Sequence, residues 1–242
     1  MNNEEILMEP VGQFFLEKSY FIEEIEGLEL WRLGNDDISQ FNDFVFRVYS
    51  EAFQNEGIIP FTHADIAYQS SLYFNKTKVC GIKHPSGTLL GTWGLVLKNL
   101  EIDSFPLPIE INYKLSVNEI LNAMKSNTDS IKFMFNGWRT AIDKDAMERL
   151  NIPKQKSIFI FDYLLRGLTR DFAGESNSYL GVSEMEMLVF KYHRRVGIPW
   201  VILGKPINYW GRDRYPCGFQ MGIFEEYLKI NHPERHKFIY GK

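Results

Sequence analysis

The residues best placed to do chemistry begin with Asn136-Gly137-Trp138-Arg139, where a glycine interrupts an apolar run. Glycine inside a strand marks a bulge or a close backbone approach, or simply a kink that holds no ligand. Arg139 lies two positions beyond Gly137, so strand alternation puts the two on one face. A planar guanidinium suits a carboxylate ligand; the alternative is an internal ion pair with Asp65 or Asp143. Lys154-Gln155-Lys156-Ser157 sets two cations ahead of a helical pattern that Ser157 can cap. That makes either an anion site or a solvated turn. His193 titrates near neutral pH and so can move a proton, yet beside Tyr192 and Arg194 on a helix it also reads as a surface residue. Cys80 and Cys217 are the two cysteines, and no CxxC spacing exists. That argues against a disulfide framework or a structural zinc site, predicts no metal, and fits a reducing cytoplasm.

The elements that must position these groups come from a chain of 242 residues, 45% apolar and 15% aromatic. This supplies a core and excludes disorder over most of the length. Lys and Arg number 27 against 31 Asp and Glu, a net charge of −4, which argues against nucleic-acid binding. Met1 to Pro10 lacks the basic start and apolar run of a signal peptide. No apolar stretch approaches the ~18 to 20 residues of a membrane span, so a cytoplasmic protein without a transmembrane span is expected. One domain is expected over 28–230, with 1–27 as an N-terminal arm and 231–242 as a C-terminal tail.

Leu28 to Leu33 reads as a short strand. Phe41, Phe44, Val45, Val48, Ala52 and Phe53 recur at three- and four-residue spacing and predict a helix from Ile38. A second helix starts at Thr62 and carries Asp65. The runs 79–82 and 89–97 form a hairpin round His84-Pro85-Ser86-Gly87, and Ser116-Val117-Asn118-Glu119 is a capping box. A bulged strand follows over 131–142, then a helix from Ser157 to about Phe172, a strand over 179–182 and a helix over 184–196. Closing strands over 200–203 and 218–224 flank a turn-rich 209–216. The order predicts a mixed α/β domain, one central sheet flanked by helices.

Several stretches carry a further likeness. Phe46-Arg47-Val48-Tyr49-Ser50-Glu51-Ala52-Phe53 is similar to a YRLRYEVF helix motif, with Asp65 at the acidic position that follows it. Gly91-Thr92-Trp93-Gly94-Leu95 is similar to GTxRL, and Phe105 to Glu110 to the proline-containing segment after that strand. Asn136 to Asp143 resembles ExxRLAVD, His193 to Ile198 resembles YRRLGF, and Leu203 to Gly211 resembles LGPPxxYxG. Together, in this order over about Leu28 to Phe224, they resemble the GCN5-related N-acetyltransferase superfamily. Within it they resemble the N-acyl amino acid synthase and acyl-homoserine-lactone (autoinducer) synthase branch. Three positions depart from those motifs: Tyr49 and Gly94 replace arginines, and Asn136 replaces a glutamate.

The resemblance implies an N-acyltransferase with no permanently bound cofactor. It would move a fatty acyl group from a phosphopantetheine thioester, on acyl carrier protein or coenzyme A, to the amine of a small acceptor such as an amino acid. It implies that a bulged strand splays from its neighbour to open the thioester slot, placed here at Asn136-Gly137-Trp138. Arg139 would then hold the acceptor, with Arg47, Asp65, Trp93, Gly137 and Trp138 at the substrate site. Lys154, Lys156 and Ser157 would take donor phosphates, and His193 would stand near the leaving sulfur. The reaction needs donors for an oxyanion and an acceptor for the amine proton. Asn136 can orient an amine but cannot take its proton, which leaves Glu184, Glu110 or water. An acidic carrier protein would dock on Lys154, Lys156, Arg166, Arg170, Lys191, Arg194 and Arg195. Two other readings stand beside this one. A catalytically silent ligand- or protein-binding module is favoured by Gly94 and Asn136. An acetyl-CoA-dependent N-acetyltransferase is disfavoured by the lack of a QxxGxA loop.

Overall fold

The computed structural model describes residues 16–53, 57, 59–125, 130–172 and 174–241. In chain order the elements are β1 (Tyr20–Ile25), β2 (Leu28–Arg32), α1 (Ile38–Phe53), α2 (His63–Tyr73), β3 (Thr77–Lys83), β4 (Leu89–Asn99), α3 (Pro108–Tyr113), α4 (Val117–Met124), β5 (Phe133–Ile142), α5 (Lys144–Arg149), α6 (Lys156–Thr169), β6 (Tyr179–Met185), α7 (Met187–Arg195), β7 (Val201–Ile202), β8 (Ile207–Tyr209), β9 (Arg212–Gln220), α8 (Met221–Asn231) and α9 (Pro233–Tyr240). One sheet runs in the order β1-β2-β3-β4-β5-β6-β9-β7, and β8 pairs with β9. The β5–β6 pair is parallel and its neighbours are antiparallel.

Local chemistry accounts for the helices. In α1 the predicted apolar stripe buries Phe41, Phe44, Val45 and Phe53. Reciprocal capping boxes open α2 at Thr62–Asp65 and α4 at Ser116–Glu119. In α6, Ile160, Phe161, Leu164 and Leu168 are buried. Two apolar clusters result. One contains Phe41, Val45, Ile66 and Trp138; the other contains Trp93, Phe161, Leu164 and Phe224.

Several expectations need correction. Tyr20–Ile25 is not an arm but the edge strand, paired with β2, and Tyr163 and Arg166 bond to Glu23. Of the rest of the expected arm, 1–15 lies outside the described residues. The expected tail contains α9, whose Ile239 and Tyr240 are buried. Ser157 does not cap α6: Gln155 holds the cap position without a side-chain bond, and the helix begins at Lys156. The turn-rich 209–216 belongs largely to the β8–β9 hairpin, whose turn residues Trp210 and Gly211 have φ of 53° and 77°, as a tight hairpin turn requires. Residues 221–224 open α8 rather than extending a strand.

The central strands hold the feature that matters most. β5 and β6 pair from Phe133↔Tyr179 to Asn136↔Val182, then part while β5 continues to Ile142 and β6 to Met185. Across β4, Thr92 faces Ala141 but Gly94 faces Trp138. Arg139 and Thr140 therefore stand opposite the single residue Trp93, and Arg139 has a φ of 53°. The bulge is thus at Arg139-Thr140, not at Asn136-Gly137-Trp138, because Gly137 pairs regularly with Leu95. The close approach falls on β4 instead. A Cβ on Gly94 would lie 2.8 Å from Thr77 Cγ2 and 3.0 Å from Trp138 Cε3. No arginine fits at that position.

Candidate active site

Where β5 and β6 part, a cavity of about 550 Å³ opens. Its floor is the fork itself, Asn136 to Arg139 on one prong and Ser183 to Met185 on the other. Tyr49 of α1, Gln69 of α2, Asn112 of α3, His193 of α7 and Arg214 of the β8–β9 hairpin complete the wall. Tyr68, Leu72 and Ile111, exposed apolar side chains, line it as well.

Arg139 is 6% exposed. Its Nη2 donates to Gln69 Oε1 at 2.5 Å, and its guanidinium lies 5.4 to 5.7 Å from the ring centres of Trp210, Trp138 and Tyr49. Neither Asp65 nor Asp143 pairs with it: Asp65 caps α2, and Asp143 caps α5 and pairs with Arg47. Buried Nε is without a hydrogen-bond partner among the described residues, and desolvation lowers the guanidinium pKa. Arg214 also has a buried, unpartnered Nε and lies 5.1 Å over Tyr209. A buried charge without a close ion pair is costly. Arg139 forms none among the described residues, and Arg214 is part-buried and feels the charge of Glu184 across the same cleft.

Glu184 supplies the titratable group. Asn112 Nδ2 donates to its two carboxylate oxygens at 2.9 and 3.0 Å. Desolvation raises its pKa to about 7, against the opposing pull of Asn112 and Arg214. It sits on β6, not on the helix expected over 184–196. Such a carboxyl can accept a proton near neutral pH. Glu110 is otherwise engaged, as partner of Lys98 and of the Leu107 amide. Asn136 is occupied too: its Oδ1 accepts from Ile109 N and its Nδ2 donates to Gly137 O, tying α3 to the fork.

His193 is buried, not at the surface. Its Nδ1 accepts from Trp200 Nε1 at 3.2 Å, which leaves the imidazole proton on Nε2. Desolvation holds its pKa down at about 4, so it stays neutral at working pH and acts as an N–H donor rather than as the titrating acid expected.

Other expected residues lie elsewhere. Arg47 pairs with Asp143 and, at 3.6 Å, with Glu51. Lys154 pairs with Glu148 at 3.5 Å and Lys156 with Glu26 at 3.0 Å; with Ser157 they are outside the cleft lining. Asp65 lines its outer wall, where Thr62 bonds to its carboxylate and lower its pKa. Trp138 packs beneath Arg139, and Trp93 lies behind the fork, 4.9 Å from Phe161. Arg166 and Arg170 leave the expected basic face to pair with Glu23. Sequence reasoning missed Arg214, Gln69 and Asn112. Arg214 belonged to a segment read as turn-rich, and nothing local marks the other two.

No family model matches the chain, and no curated protein matches it in sequence. Among solved structures, FeeM, an N-acyl amino acid synthase from uncultured soil microbes, is similar at 13% identity with a TM-score of 0.54, over 87% of this chain and 96% of that one. An uncharacterized protein from Bacillus halodurans follows at 11% identity and a TM-score of 0.47, over 88% and 95% of the two chains. Spermidine N-acetyltransferase from Vibrio cholerae, solved with CoA and spermine, is at 12% and 0.44, over 83% and 99%. Among the described residues no helix is long and apolar enough to cross a membrane. The parallel β5–β6 pair that forks, the bulged β5 and the likeness to FeeM agree on one architecture: the chain has the GCN5-related N-acetyltransferase fold.

Proposed function

We propose that this protein is an N-acyltransferase. It moves an acyl group from a phosphopantetheine thioester, on acyl carrier protein or coenzyme A, to the amine of a small acceptor that also carries an anionic group, such as an amino acid. One observation carries the reading. A carboxyl poised near pH 7 and two guanidinium groups without carboxylate partners face the same cavity, at the point where β5 and β6 part. The fork gives the pantetheine arm a slot with free strand edges. Arg139, held by Gln69 and walled by aromatic rings, takes the acceptor's anion with Arg214, and Glu184 takes the proton of the attacking amine. A fatty chain on the donor runs along Tyr68, Leu72 and Ile111 at the cleft wall. The carrier docks on α7, where Lys191, Arg194 and Arg195 are exposed.

Mass spectrometry of lipid extracts from cells making the protein, compared with empty-vector cells, tests the reading. A new N-acyl species that disappears with Glu184→Gln is the expected result. A catalytically silent binding module is the second reading, supported by the structural engagement of Asn136 and Arg47. It predicts no new species and, instead, an acyl thioester or anion that copurifies unchanged.

A further inference from the structure

Behind the fork lies a second, smaller cavity of about 20 Å³. It shares Gly137, Thr140, Ser183 and His193 with the large cleft, so the two spaces meet at the fork. A space of this size takes one water-sized atom and has no room for an acyl chain. Its polar groups are unusual for a wall otherwise built of Leu95, Phe135, Phe219 and Phe224. Trp93 is 5% exposed, yet its Nε1–H finds no acceptor among the described residues. Buried donors without partners are rare and call for a reason. A Cβ on Gly137 would lie 3.7 Å from this nitrogen and 3.2 Å from Ser183 Oγ. The missing side chain of Gly137 therefore leaves a cradle between the two. His193, its ring centre 6.1 Å from that of Trp93, lines the same cavity, with its proton on Nε2 because Trp200 donates to Nδ1.

We infer that Trp93 Nε1–H and His193 Nε2–H, with the Ser183 hydroxyl beside them, receive the carbonyl oxygen of the acyl thioester and the negative charge that develops on it. The inference rests on the acyltransferase reading and adds to it the groups that stabilise the transition state. Neutral donors fixed in an apolar wall are suited to this work, since they need no reorganisation as charge appears. Ser183 and Glu184 are consecutive on β6 and so project to opposite faces. The base meets the amine in the large cleft while the oxygen is held behind the fork. The amine nitrogen adds to the thioester carbon, and the carbonyl π pair moves onto oxygen. Collapse breaks the carbon–sulfur bond, and its electron pair leaves on sulfur. The amine proton passes to the Glu184 carboxylate and then to the thiolate, so the products are an amide and a free thiol.

The test uses the native chain with S-acetonyl-phosphopantetheine and a long-chain 2-oxoalkyl homologue, whose ketone occupies the thioester position but cannot be transferred. Indole ¹⁵N–¹H signals are followed by NMR, that of Trp93 being assigned through its contacts with the Phe161 ring, since Trp200 also meets His193. The Trp93 signal should move downfield on binding while that of Trp31, bonded to Glu29, stays in place. In a transfer assay Trp93→Phe should lose about 100-fold in kcat with KM little changed, the scale of one oxyanion donor. Gly137→Ala, which fills the cradle, should lose a similar factor. An unmoved Trp93 signal in a protein that binds the analogue overturns this inference and leaves the acyltransferase reading standing, as does full kcat in a folded Trp93→Phe. No binding of either analogue by the native chain overturns both. Because the NMR measurement needs only the native protein, a variant that fails to fold does not remove the test.

Discussion

Two arginines, one part-buried and one buried, show how the same side chain serves two ends. Arg166, on α6, has its guanidinium met almost completely. Nε and Nη2 donate to Glu23 at 2.6 and 3.0 Å, and Nη1 donates to the carbonyls of Phe238 and Gly241. It clamps β1, near one end of the chain, to α9 at the other. Arg139, in the cleft, is at least as buried yet meets no carboxylate: it bonds to the Gln69 amide and the Tyr49 hydroxyl and otherwise faces aromatic rings. It does so from a left-handed backbone conformation, a strain that persists only where surrounding structure enforces it. A charge fully satisfied from within holds the fold together. A charge that meets no carboxylate is the one expected to respond to an anionic ligand.

The largest effect expected from this contrast is on stability. Arg166→Ala leaves Glu23 half-buried with only the longer Arg170 contact and frees two terminal carbonyls. Breaking a buried pair costs about 3 to 5 kcal/mol, which lowers Tm by roughly 10 °C at this chain length. A loss under about 2 °C in a thermal melt, on this same scale, would show that the clamp contributes little. Transfer by the folded fraction at low temperature should be unaffected.

Glu184 is the counterpart charge in the cleft. Its folded pKa of about 7 lies above the ordinary 4.5, so folding binds a proton between those values. Stability contributed by the protonated form is present at low pH and lost as pH rises through this window. At pH 8 the charged carboxyl therefore costs the fold on the order of 3 kcal/mol. Glu184→Gln should raise Tm at pH 8 and leave it nearly unchanged at pH 4. The same substitution should lower transfer about 100-fold. The native rate should climb with pH to a plateau beyond 7, whereas His193, neutral down to about 4, adds no inflection near 6.5. A rate that is flat from pH 5 to 9 would remove Glu184 as the base.

Arg139→Ala should reverse the pattern of Arg166→Ala. Deleting a buried, unmatched charge is close to neutral for stability, whereas loss of a charged hydrogen bond to the acceptor raises KM by roughly 10- to 150-fold. Lys should restore little if the contact is bidentate. Unfolding in this variant, with no change in KM for the molecules that remain folded, would move Arg139 into the class of Arg166.

The same contrast explains what could be read in the sequence. The stripe of α1, the helix start at Thr62 and the capping box at Ser116 are written in neighbouring residues and were legible, whereas the parting of strands near Gly137 was implied by the likeness to a family. Whether a cation is satisfied is not local. Arg47 finds Asp143 at a separation of 96 positions, and Arg166 finds Glu23 across 143, so spacing alone could not tell these from Arg139. The bulge was misplaced because Gly137 drew it, while the side chain actually excluded is on the facing strand at Gly94. Arg214 was hidden by its setting. Tyr209, Gly211 and Pro216 give 209–216 the composition of a turn, although pairing with β6 and β8 makes most of it strand.

The exposed cations of α7 should show the smallest effect. Unlike Arg139, Lys191 and Arg195 stand in water, where a charge without a partner costs nothing and so gives no sign of a missing ligand by itself. If an acidic carrier docks there, each exposed pair contributes only about 0.2 to 1 kcal/mol. Reversing both to Glu should then weaken transfer from acyl carrier protein severalfold, with the difference shrinking as salt rises. Arg194 is left intact in this variant because it donates to Trp200 O at 2.8 Å, and Trp200 in turn fixes the His193 proton. Transfer from acyl-coenzyme A, measured beside it, should change less. Equal losses with both donors, or a loss indifferent to salt, would place the carrier on another face while leaving the contrast between Arg139 and Arg166 untouched.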